Sequence, residues 1–385
     1  MRTKLKNRLT IILILLSFLI VSAVSITVIF ALTQQKISTD IGVEFFPSTT
    51  PVEAFTFSDN GNGSVALSSF DKSYSGDIKI PATYNDKPVT SIGDGSFMSC
   101  SAITSVTIPD SVTSIGANAF YSCSSLTDIT LPNNLTSIGG YAFAYCGSLT
   151  EIEIPDSITT ISDRAFQSCG ITSIEIPNTV TSLGSYVFLS CKSLTNAVIG
   201  NGITAISDYT FSHCSKLKEV SIPNTVKTIG VYAFQDCTAL TSIEIPNSVT
   251  AINDGAFYEC TNLAGVTIPS GVRVIDDQVF GYCKAFTSIT ISDNIYRIGT
   301  NAFIGCTGLT NITIPKNVDS IGKKAFSGCS NLISVTFVNT QYWFIADTAG
   351  ATSGTDLASG DLANQSLAAE YLVTTYKDKW FLRGV

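Results

Sequence analysis

Residues 114–132 read Ser-Ile-Gly-Ala-Asn-Ala-Phe-Tyr-Ser-Cys-Ser-Ser-Leu-Thr-Asp-Ile-Thr-Leu-Pro, and close variants of this unit follow one another along most of the chain. A phenylalanine stands three residues before the cysteine in every copy, from Phe97 to Phe326. The cysteines are 23 residues apart, except for a step of 22 between Cys169 and Cys191. A period of this length is typical of a solenoid, whose units stack on their sequence neighbours. The eleven cysteines are Cys100, Cys123, Cys146, Cys169, Cys191, Cys214, Cys237, Cys260, Cys283, Cys306 and Cys329.

The second half of the unit has the pattern of a strand. Ile129 and Leu131 alternate with the polar residues Asp128 and Thr130, which predicts a short strand with one buried face. Pro132 ends the strand, because proline cannot donate a hydrogen bond to a sheet. A single unit cannot bury its own apolar residues, so we expect each strand to pair in parallel with the next. At about 4.8 Å per strand, the array would extend over roughly 50 Å.

The first half of the unit has the spacing of a short helix. Ala119, Cys123 and Leu126 are separated by four and then by three residues, so they would share one face of a helical turn. Gly116 stands where a helix N-cap is expected, and the equivalent residue is Gly, Ser, Asn or Asp in every copy. The sequence therefore predicts an α/β solenoid of about eleven units, with short parallel strands and short helical turns.

The repeated motif resembles the leucine-rich repeat. Its Leu-x-x-Ile-x-Ile core occurs as Leu149-Thr-Glu-Ile152-Glu-Ile154 and again in residues 240–245. Over residues 91–340, the wider pattern Ile-Pro-Asn-Ser-Val-Thr-x-Ile-Gly-x-x-Ala-Phe-x-x-Cys-x-x-Leu is similar to the BspA-like leucine-rich repeat family of exported bacterial surface proteins. The resemblance implies a leucine-rich-repeat array, and it implies adhesion to proteins of a host or of neighbouring cells.

The amino terminus has the pattern of a membrane-targeting segment. Ile11–Leu32 is largely apolar and carries no charge, and a basic head precedes it. About 20 apolar residues cross a bilayer as a helix, so residues 1–32 are predicted to be a membrane anchor. The alternative is a cleaved signal peptide, because Val21-Ser22-Ala23 resembles a cleavage site. Both interpretations place the body of the chain outside the cytoplasm, after a polar linker over residues 33–51.

Caps are expected at both ends of the array, because an open solenoid exposes its core and its last strand edge. Residues 52–90 contain Phe55 and Phe57 in alternation and then an Asp-Asn-Gly-Asn-Gly turn, which predicts a β-hairpin cap. Residues 341–385 are predicted to form a C-terminal cap. A Gly/Ser/Ala-rich stretch up to about Ala363 is expected to be a flexible loop within that cap.

Composition and charge exclude several functional classes. Charged residues make up 14% of the chain, and 22 Lys and Arg stand against 30 Asp and Glu, which gives a net charge of -8. This charge repels phosphate, so nucleic acid is not a predicted partner. His213 is the only histidine, which excludes any site that needs two imidazole groups. No cofactor is expected.

The cysteine spacing argues against metal and disulfide chemistry. No Cys-x-x-Cys pair occurs, so no metal site is predicted. Disulfides between neighbouring copies are conceivable, but side chains in stacked parallel units point alike and an odd count leaves one cysteine over. We therefore expect a buried ladder of thiols that act as small apolar residues. His213 lies beside Ser212 and Cys214 without an orienting third group in the sequence, so no catalytic residue is predicted and His213 is expected to face solvent.

Six acidic residues fall at outward positions of the predicted strands. They would form an acidic strip at the centre of a concave sheet, which would attract a basic protein segment or a divalent cation. The alternative is scattered charge that only keeps the surface soluble. The acidic strip consists of Asp128, Glu151, Glu153, Glu175, Glu219 and Glu244.

Four tyrosines stand two residues before the recurrent phenylalanine. Stacking of the copies would align three of them as neighbours about 5 Å apart, and an amphipathic row of this kind is common at protein interfaces. Packing over the adjacent unit is the alternative. The tyrosine strip consists of Tyr141, Tyr186, Tyr209 and Tyr232.

The functional prediction is a cell-surface scaffold without catalytic activity that binds an extracellular protein or mediates adhesion. This prediction depends on the family resemblance and on the extended faces that stacking creates, because fold alone does not specify function. Two alternatives remain open. One is a structural envelope spacer whose repeats set its length, and the other is an accessory module that binds polysaccharide.

Overall fold

The computed structural model describes residues 50–384. The predicted membrane segment Ile11–Leu32 lies outside the described residues, as does the predicted linker up to residue 49. Within residues 50–384, no helix is long and apolar enough to cross a bilayer.

Most of residues 51–384 forms one parallel-strand solenoid of about 12 turns with little helix, which confirms the predicted class of fold. The coils contribute to two separate strand ladders, and the second ladder is interrupted at coils that supply no strand to it. The first ladder contains one short strand from each copy, which ends at the residue before Gly116 or its equivalent. Its pairs align isoleucine with isoleucine, as in Ile115 and Ile138. The first ladder consists of β5 (Lys87–Ile92), β7 (Ser114–Ile115), β9 (Ser137–Ile138), β10 (Thr160–Ile161), β12 (Ser182–Leu183), β14 (Ala205–Ile206), β16 (Thr228–Ile229), β17 (Ala251–Ile252), β18 (Val274–Ile275), β19 (Arg297–Ile298) and β21 (Ser320–Ile321).

The second ladder contains the strands that the alternating pattern predicts. Ile129 is buried between the exposed residues Asp128 and Thr130, and an isolated bridge joins Thr267 to Thr290. The first ladder was not predicted, because a two-residue strand is too short to show alternation. The second ladder consists of β3 (Gly76–Lys79), β6 (Ile103–Thr107), β8 (Asp128–Thr130), β11 (Ser173–Ile176), β13 (Asn196–Ile199), β15 (Glu219–Ser221), β20 (Asn311–Ile314) and β22 (Ser334–Phe337).

A continuous stack of phenylalanine rings runs through the core. From Phe97 to Phe326, the ring centroids of successive copies lie 4.9–5.7 Å apart, with interplanar angles of 3–18°. Phe70 extends the stack to the preceding coil at 4.8 Å from Phe97. Offset stacking of fully buried rings stabilises each contact beyond the area that it removes from water. The first ladder is interrupted between β12 and β14 and between β17 and β18. The phenylalanine stack continues past both points.

The predicted helical turns are wrong. Residues 91–340, all of them described, contain turns in place of helices. The residues two before and two after the recurrent phenylalanine have positive φ in every copy, and a right-handed helix cannot contain such alternation. These left-handed residues are Gly95, Ser99, Asn118, Ser122, Tyr141, Tyr145, Arg164, Ser168, Tyr186, Ser190, Tyr209, His213, Tyr232, Asp236, Gly255, Glu259, Gln278, Tyr282, Asn301, Gly305, Lys324 and Gly328.

Hydrogen bonding between coils explains the left-handed residues. The N–H groups of Asn118 and Phe120 donate to carbonyls of the following copy, at 2.8 and 2.7 Å. The alternate N–H groups of Tyr121 and Cys123 donate three residues back within their own copy. A helix would direct every N–H along its own axis. The alternation instead lets the turns of adjacent coils pair with one another, so the buried backbone is satisfied across the stack.

Gly116 is required for a close approach of two coils, and the predicted N-cap role is wrong. A Cβ atom on Gly116 would lie 2.8 Å from the backbone nitrogen of Asp94 in the preceding copy. The Asp94 carboxylate accepts a hydrogen bond from the N–H of Ala117 at 2.7 Å. The polar side chain therefore caps the turn of the next coil, and the glycine leaves room for it.

All eleven cysteines are buried with free thiols. Their burial agrees with the predicted thiol ladder, but the thiols are more than small apolar groups. Ten of them donate to the phenylalanine carbonyl of the preceding copy at 3.0–3.4 Å, as Cys214 Sγ does to Phe188 O at 3.2 Å. Each such carbonyl also accepts the N–H of the cysteine in its own copy. The thiols thus bind the coils together through a buried polar ladder.

Exchanging Ser122 for glycine is expected to raise the free energy of unfolding by about 0.5–1 kcal/mol. The φ of Ser122 is 60°, and relief of a left-handed conformation outweighs the extra chain entropy of glycine by roughly that amount. Denaturant titration of the variant measures the change. Ser124→Gly is the matched control, since Ser124 is not among the left-handed residues, and it should lower stability. A loss of stability in both variants would contradict the prediction.

The amino-terminal end begins with a hairpin. A 3-10 turn at Val52–Ala54 precedes β1 (Phe55–Asp59), which pairs antiparallel with β2 (Val65–Phe70). Strand β2 then pairs in parallel with β5, so this segment already supplies a coil of the solenoid. A short antiparallel strand, β4 (Thr83–Tyr84), also pairs with β5.

The carboxyl-terminal end turns back on the array. β25 (Trp380–Arg383) pairs antiparallel with both β21 and β23 (Trp343–Ala346), which covers the last strand of the first ladder. Two short helices, α1 (Ser359–Ala363) and α2 (Gln365–Glu370), lie against β22 and lead into a π-helical turn. The segment predicted to be a flexible loop therefore contains α1 and the short strand β24 (Thr355–Asp356).

Candidate functional site

The second ladder displays the acidic strip on its outward face. All six side chains are exposed. Equivalent residues of successive copies form a column across the strands. Strand register places Asp128 beside Ser105 and Glu219 beside Asn196 in one such column. Glu151 has the same repeat position and belongs to the same column. The other three lie two residues later in their copies. Within the described residues, no carboxylate of the strip forms an ion pair.

The acidic strip divides into two groups. Asp128, Glu151, Glu153 and Glu175 occupy three successive copies. Glu219 and Glu244 lie beyond β13, a strand without charged residues. Strand pairing is interrupted at the copy that carries two glutamates, and like charges on adjacent strands oppose pairing. The first group is therefore the densest negative charge on this face.

Asp77 belongs to the same column and was missed. It is paired in register with Ser105, whose hydroxyl donates to its carboxylate at 2.8 Å. The residues around it read Gly-Asp-Ile-Lys-Ile-Pro, which matches the strand motif of the later copies. That match is the signal that would have identified it.

The divalent-cation form of the prediction is not supported. Among residues 50–384, no group of three or more His, Cys, Asp or Glu side chains is placed to hold a metal ion. The carboxylates are spread along the ladder rather than gathered around one point. The arrangement favours a basic partner that contacts several copies.

The tyrosine strip is a row of half-buried, stacked rings. The rings of Tyr186 and Tyr209 are 4.6 Å apart at an angle of 7°, and those of Tyr209 and Tyr232 are 5.3 Å apart at 29°. Burial raises the pKa of the Tyr209 hydroxyl, and the adjacent Tyr186 and Tyr232 raise it further. Each ring thus covers a face of its neighbour.

Three other residues contact this row. Arg164 stands between Tyr141 and Tyr186, with its guanidinium carbon 5.5 Å and 3.9 Å from the two ring centroids. At the far end, the ring of Tyr232 lies over Gly255, and its hydroxyl donates to Gln278 Oε1 at 2.5 Å. A side chain larger than glycine at residue 255 would collide with that ring. Sequence reasoning identified the tyrosines but not the arginine that joins them.

His213 has a partner that the sequence did not reveal. Its Nδ1 lies 2.9 Å from Asp236 Oδ2 in the next copy, and both side chains are partly exposed. The neighbouring nucleophile candidates are already engaged, because Ser212 donates to Gln235 Oε1 and Cys214 donates to a backbone carbonyl. Burial also raises the pKa of the Cys214 thiol to about 12. The histidine and the cysteine therefore do not form an activated nucleophile at neutral pH.

Comparison with known sequences identifies one family. The sequence profile described as BspA type leucine rich repeat region matches residues 39–172, 159–287 and 273–347, with six copies of the region. No curated protein matches the chain.

Several solved structures are similar to this chain. A leucine-rich repeat protein from Bacteroides ovatus is 27% identical, with 76% of this chain and 88% of that chain covered and a TM-score of 0.52. The pneumococcal vaccine antigen PcpA is 18% identical, with 75% and 80% covered and a TM-score of 0.50, and this similarity concerns the fold alone. A leucine rich cell surface protein from Faecalibacterium prausnitzii is 28% identical, with 78% and 97% covered and a TM-score of 0.43.

Proposed function

This chain belongs to the BspA-type leucine-rich repeat family, and from that membership we propose that it is a non-enzymatic binding scaffold displayed at the cell surface. Its partner is an extracellular protein with a basic segment, and the acidic strip is the surface that binds it. The observation that carries this proposal is the row of exposed carboxylates, none of which has an ion-pair partner among the described residues.

The geometry of the second ladder supports a partner that lies across several coils. Outward side chains of successive copies repeat at about 4.8 Å, so the four carboxylates of the first group face a partner together. The net charge of -8 also accelerates the approach of a basic segment, by an amount that falls as salt is added. A single exposed ion pair contributes little, but a row of them contributes in sum.

The spacer function is the second candidate. The phenylalanine stack is uninterrupted from Phe97 to Phe326, and the strand β25 closes the first ladder, so the number of copies sets a fixed length. Polysaccharide binding is not supported. The tyrosine rings cover one another's faces, whereas a sugar ring packs on an aromatic face that is open.

Replacing Glu151, Glu153 and Glu175 by glutamine is expected to weaken binding of a basic peptide about tenfold. Each exposed charge pair contributes roughly 0.2–1 kcal/mol, so three of them account for about one order of magnitude. A peptide of alternating lysine and threonine serves as the probe, and its affinity is measured by biolayer interferometry at several salt concentrations. Wild-type binding should weaken as salt rises, and the triple variant should depend less on salt.

A matched control separates the strip from total charge. Glu53, Asp110 and Asp356 are exposed and lie off the second ladder, and their replacement by the corresponding amides changes the net charge by the same amount. The control variant should keep its affinity within about twofold. Equal losses in both triple variants, or no loss in the first, would reject the acidic strip as the binding surface.

A further inference from the structure

Arg164 occupies a position that belongs to tyrosine in the neighbouring copies. It stands two residues before Phe166, as Tyr141 stands before Phe143 and Tyr186 before Phe188. Its guanidinium carbon is 3.9 Å from the Tyr186 centroid and 5.5 Å from the Tyr141 centroid. The guanidinium therefore lies between two aromatic faces, an arrangement that stabilises the cation and restricts its motion.

A hydrogen-bonded chain also fixes the orientation of Arg164. One guanidinium nitrogen, Nη1, donates to Gln167 Oε1 at 3.3 Å, and Gln167 is only 9% exposed. The amide nitrogen of Gln167 donates in turn to the Tyr145 hydroxyl at 2.9 Å. Arginine normally loses considerable rotamer freedom when it binds a ligand. Here folding has already removed much of that freedom.

Most hydrogen-bond donors of Arg164 are unused by the protein. A guanidinium carries five N–H groups, and within residues 50–384 one of them has a protein acceptor. The nearest carboxylate in sequence, Asp163, is already engaged, because its Oδ1 accepts the N–H of Ser185 at 2.8 Å. The rings of Tyr141 and Tyr186 lie on either side of the guanidinium, and their hydroxyls likewise have no protein partner among the described residues.

We propose that Arg164, Tyr141 and Tyr186 form a binding site for a single carboxylate side chain of a partner protein. The guanidinium edge binds the carboxylate through paired N–H groups, and the tyrosine hydroxyls donate to the same oxygens. This site lies in the turn segment between the two ladders, so it does not depend on the acidic strip. It gives the scaffold a second, chemically opposite contact with its partner.

The surrounding charge selects a monoanion over phosphate or a run of acidic residues. Residues 91–269 contain 5 Lys and Arg against 14 Asp and Glu, a difference of 5 minus 14, or -9. A ligand with several negative charges is repelled by this field, whereas one carboxylate among uncharged residues meets mainly the local guanidinium. The partner segment is therefore an isolated Asp or Glu flanked by neutral residues.

Two blocked peptides test the site in the full chain. One is acetyl-Gly-Tyr-Glu-Tyr-Gly-amide, and the other has Gln in place of Glu. Titration by saturation-transfer difference NMR should show saturable binding of the Glu peptide and at least tenfold weaker binding of the Gln peptide. Acetate should compete with the Glu peptide better than inorganic phosphate at the same ionic strength. Equal binding of the two peptides, or no binding of either, would overturn the proposal.

Substitutions locate the binding to Arg164. Arg164→Gln and Arg164→Lys should each weaken the Glu peptide at least tenfold, since lysine keeps the charge but loses the planar fork. Arg273→Gln is the control, because Arg273 is exposed and makes no ion pair in the described part of the chain, and its affinity should stay within twofold of wild type. Unchanged binding in Arg164→Lys, or equal loss in the control, would reject the site.

Two further measurements distinguish a loss of peptide binding at Arg164 from a loss of folding and from an effect of the acidic strip. Thermal melting by circular dichroism shows whether each variant is folded. If Arg164→Gln is unfolded, the double variant Tyr141→Phe/Tyr186→Phe replaces it, because it keeps both rings and removes only the hydroxyls. This double variant should bind the Glu peptide several-fold more weakly than wild type. Undiminished binding would count against the site. The triple glutamine variant of the acidic strip should bind the Glu peptide at least as well as wild type. The two proposals can therefore fail independently.

Discussion

Replacing Phe211 by alanine is expected to lower the free energy of unfolding by about 3–5 kcal/mol, the usual cost of removing a fully buried ring from a core that cannot collapse around it. Phe211 is fully buried. Its ring centroid lies 5.4 Å from that of Phe188 and 5.5 Å from that of Phe234. Its carbonyl accepts both the N–H of Cys214 and the thiol of Cys237. Urea titration followed by circular dichroism measures the loss.

The position of Phe211 in the middle of the stack makes a second result diagnostic. Each coil contacts only its neighbours, so a weakened central coil uncouples the two halves of the array. The unfolding transition of Phe211→Ala should therefore broaden or split, with a lower apparent m-value. Ile333→Ala is the control, because Ile333 is 70% exposed, and it should change stability by no more than about 0.5 kcal/mol. A loss under about 1 kcal/mol in Phe211→Ala would contradict the ring stack.

Raising the pH from 8.5 to 10 is expected to destabilise the solenoid steeply. Burial raises the thiol pKa of Cys214, Cys260 and Cys329 to about 12, from an ordinary value of 9.0. The unfolded chain therefore loses thiol protons before the folded chain does. Stability is fully present below pH 9 and is lost as the pH rises toward the folded pKa.

The number of thiols makes this effect large. Other buried thiols show the same direction of shift, including Cys191 and Cys237. Each contributes on the order of 1 kcal/mol per pH unit, so coils that unfold together lose several times that amount. Melting temperature is measured in small pH steps up to 10. Lysine and tyrosine side chains also begin to lose protons in this range, so the thiol contribution is the difference between the wild type and a cysteine variant.

A double substitution provides the control for the thiol effect. Cys214→Ala with Cys237→Ala removes two of the titrating groups, so the melting temperature should fall less steeply with pH, although it starts lower. The starting loss is expected because each alanine removes a buried hydrogen bond and a sulfur atom. A melting temperature that stays level to pH 10, or a slope unchanged by the double substitution, would contradict the role assigned to the thiols.

The strands of the second ladder and the buried residues of each unit are predictable from sequence. Alternation of Ile129 and Leu131 with polar residues specifies one buried face, whatever the neighbouring coils do. The repeat spacing then aligns equivalent residues, which is why the stacked tyrosines Tyr186, Tyr209 and Tyr232 are found where the spacing puts them. These inferences need only the period and the residue types.

The turn half of the unit could not be predicted correctly by the same reasoning. Ala119, Cys123 and Leu126 are all buried, as the helical spacing requires, yet the backbone between them alternates in handedness. Residue type gave only a partial signal. Gly, Asn, Asp and His favour positive φ and occur at some of these positions, but tyrosine, lysine and arginine, which rarely adopt it, occur at others. Gly116 was wrongly predicted to be an N-cap because its role depends on a residue of another copy. The group that lies against it in space is Asp94.

Repeat spacing and alternation alone determine that this chain is a stacked solenoid with phenylalanine and cysteine at its core, because a unit of this size buries its apolar side chains only against its neighbours. Tertiary structure decides the handedness of the turns, the thiol hydrogen bonds and the place of Arg164 between two tyrosine rings. In each of these features the partner group belongs to a different coil. The free energy that selects such a conformation exists only after the coils have come together, so no local pattern of residues can express it.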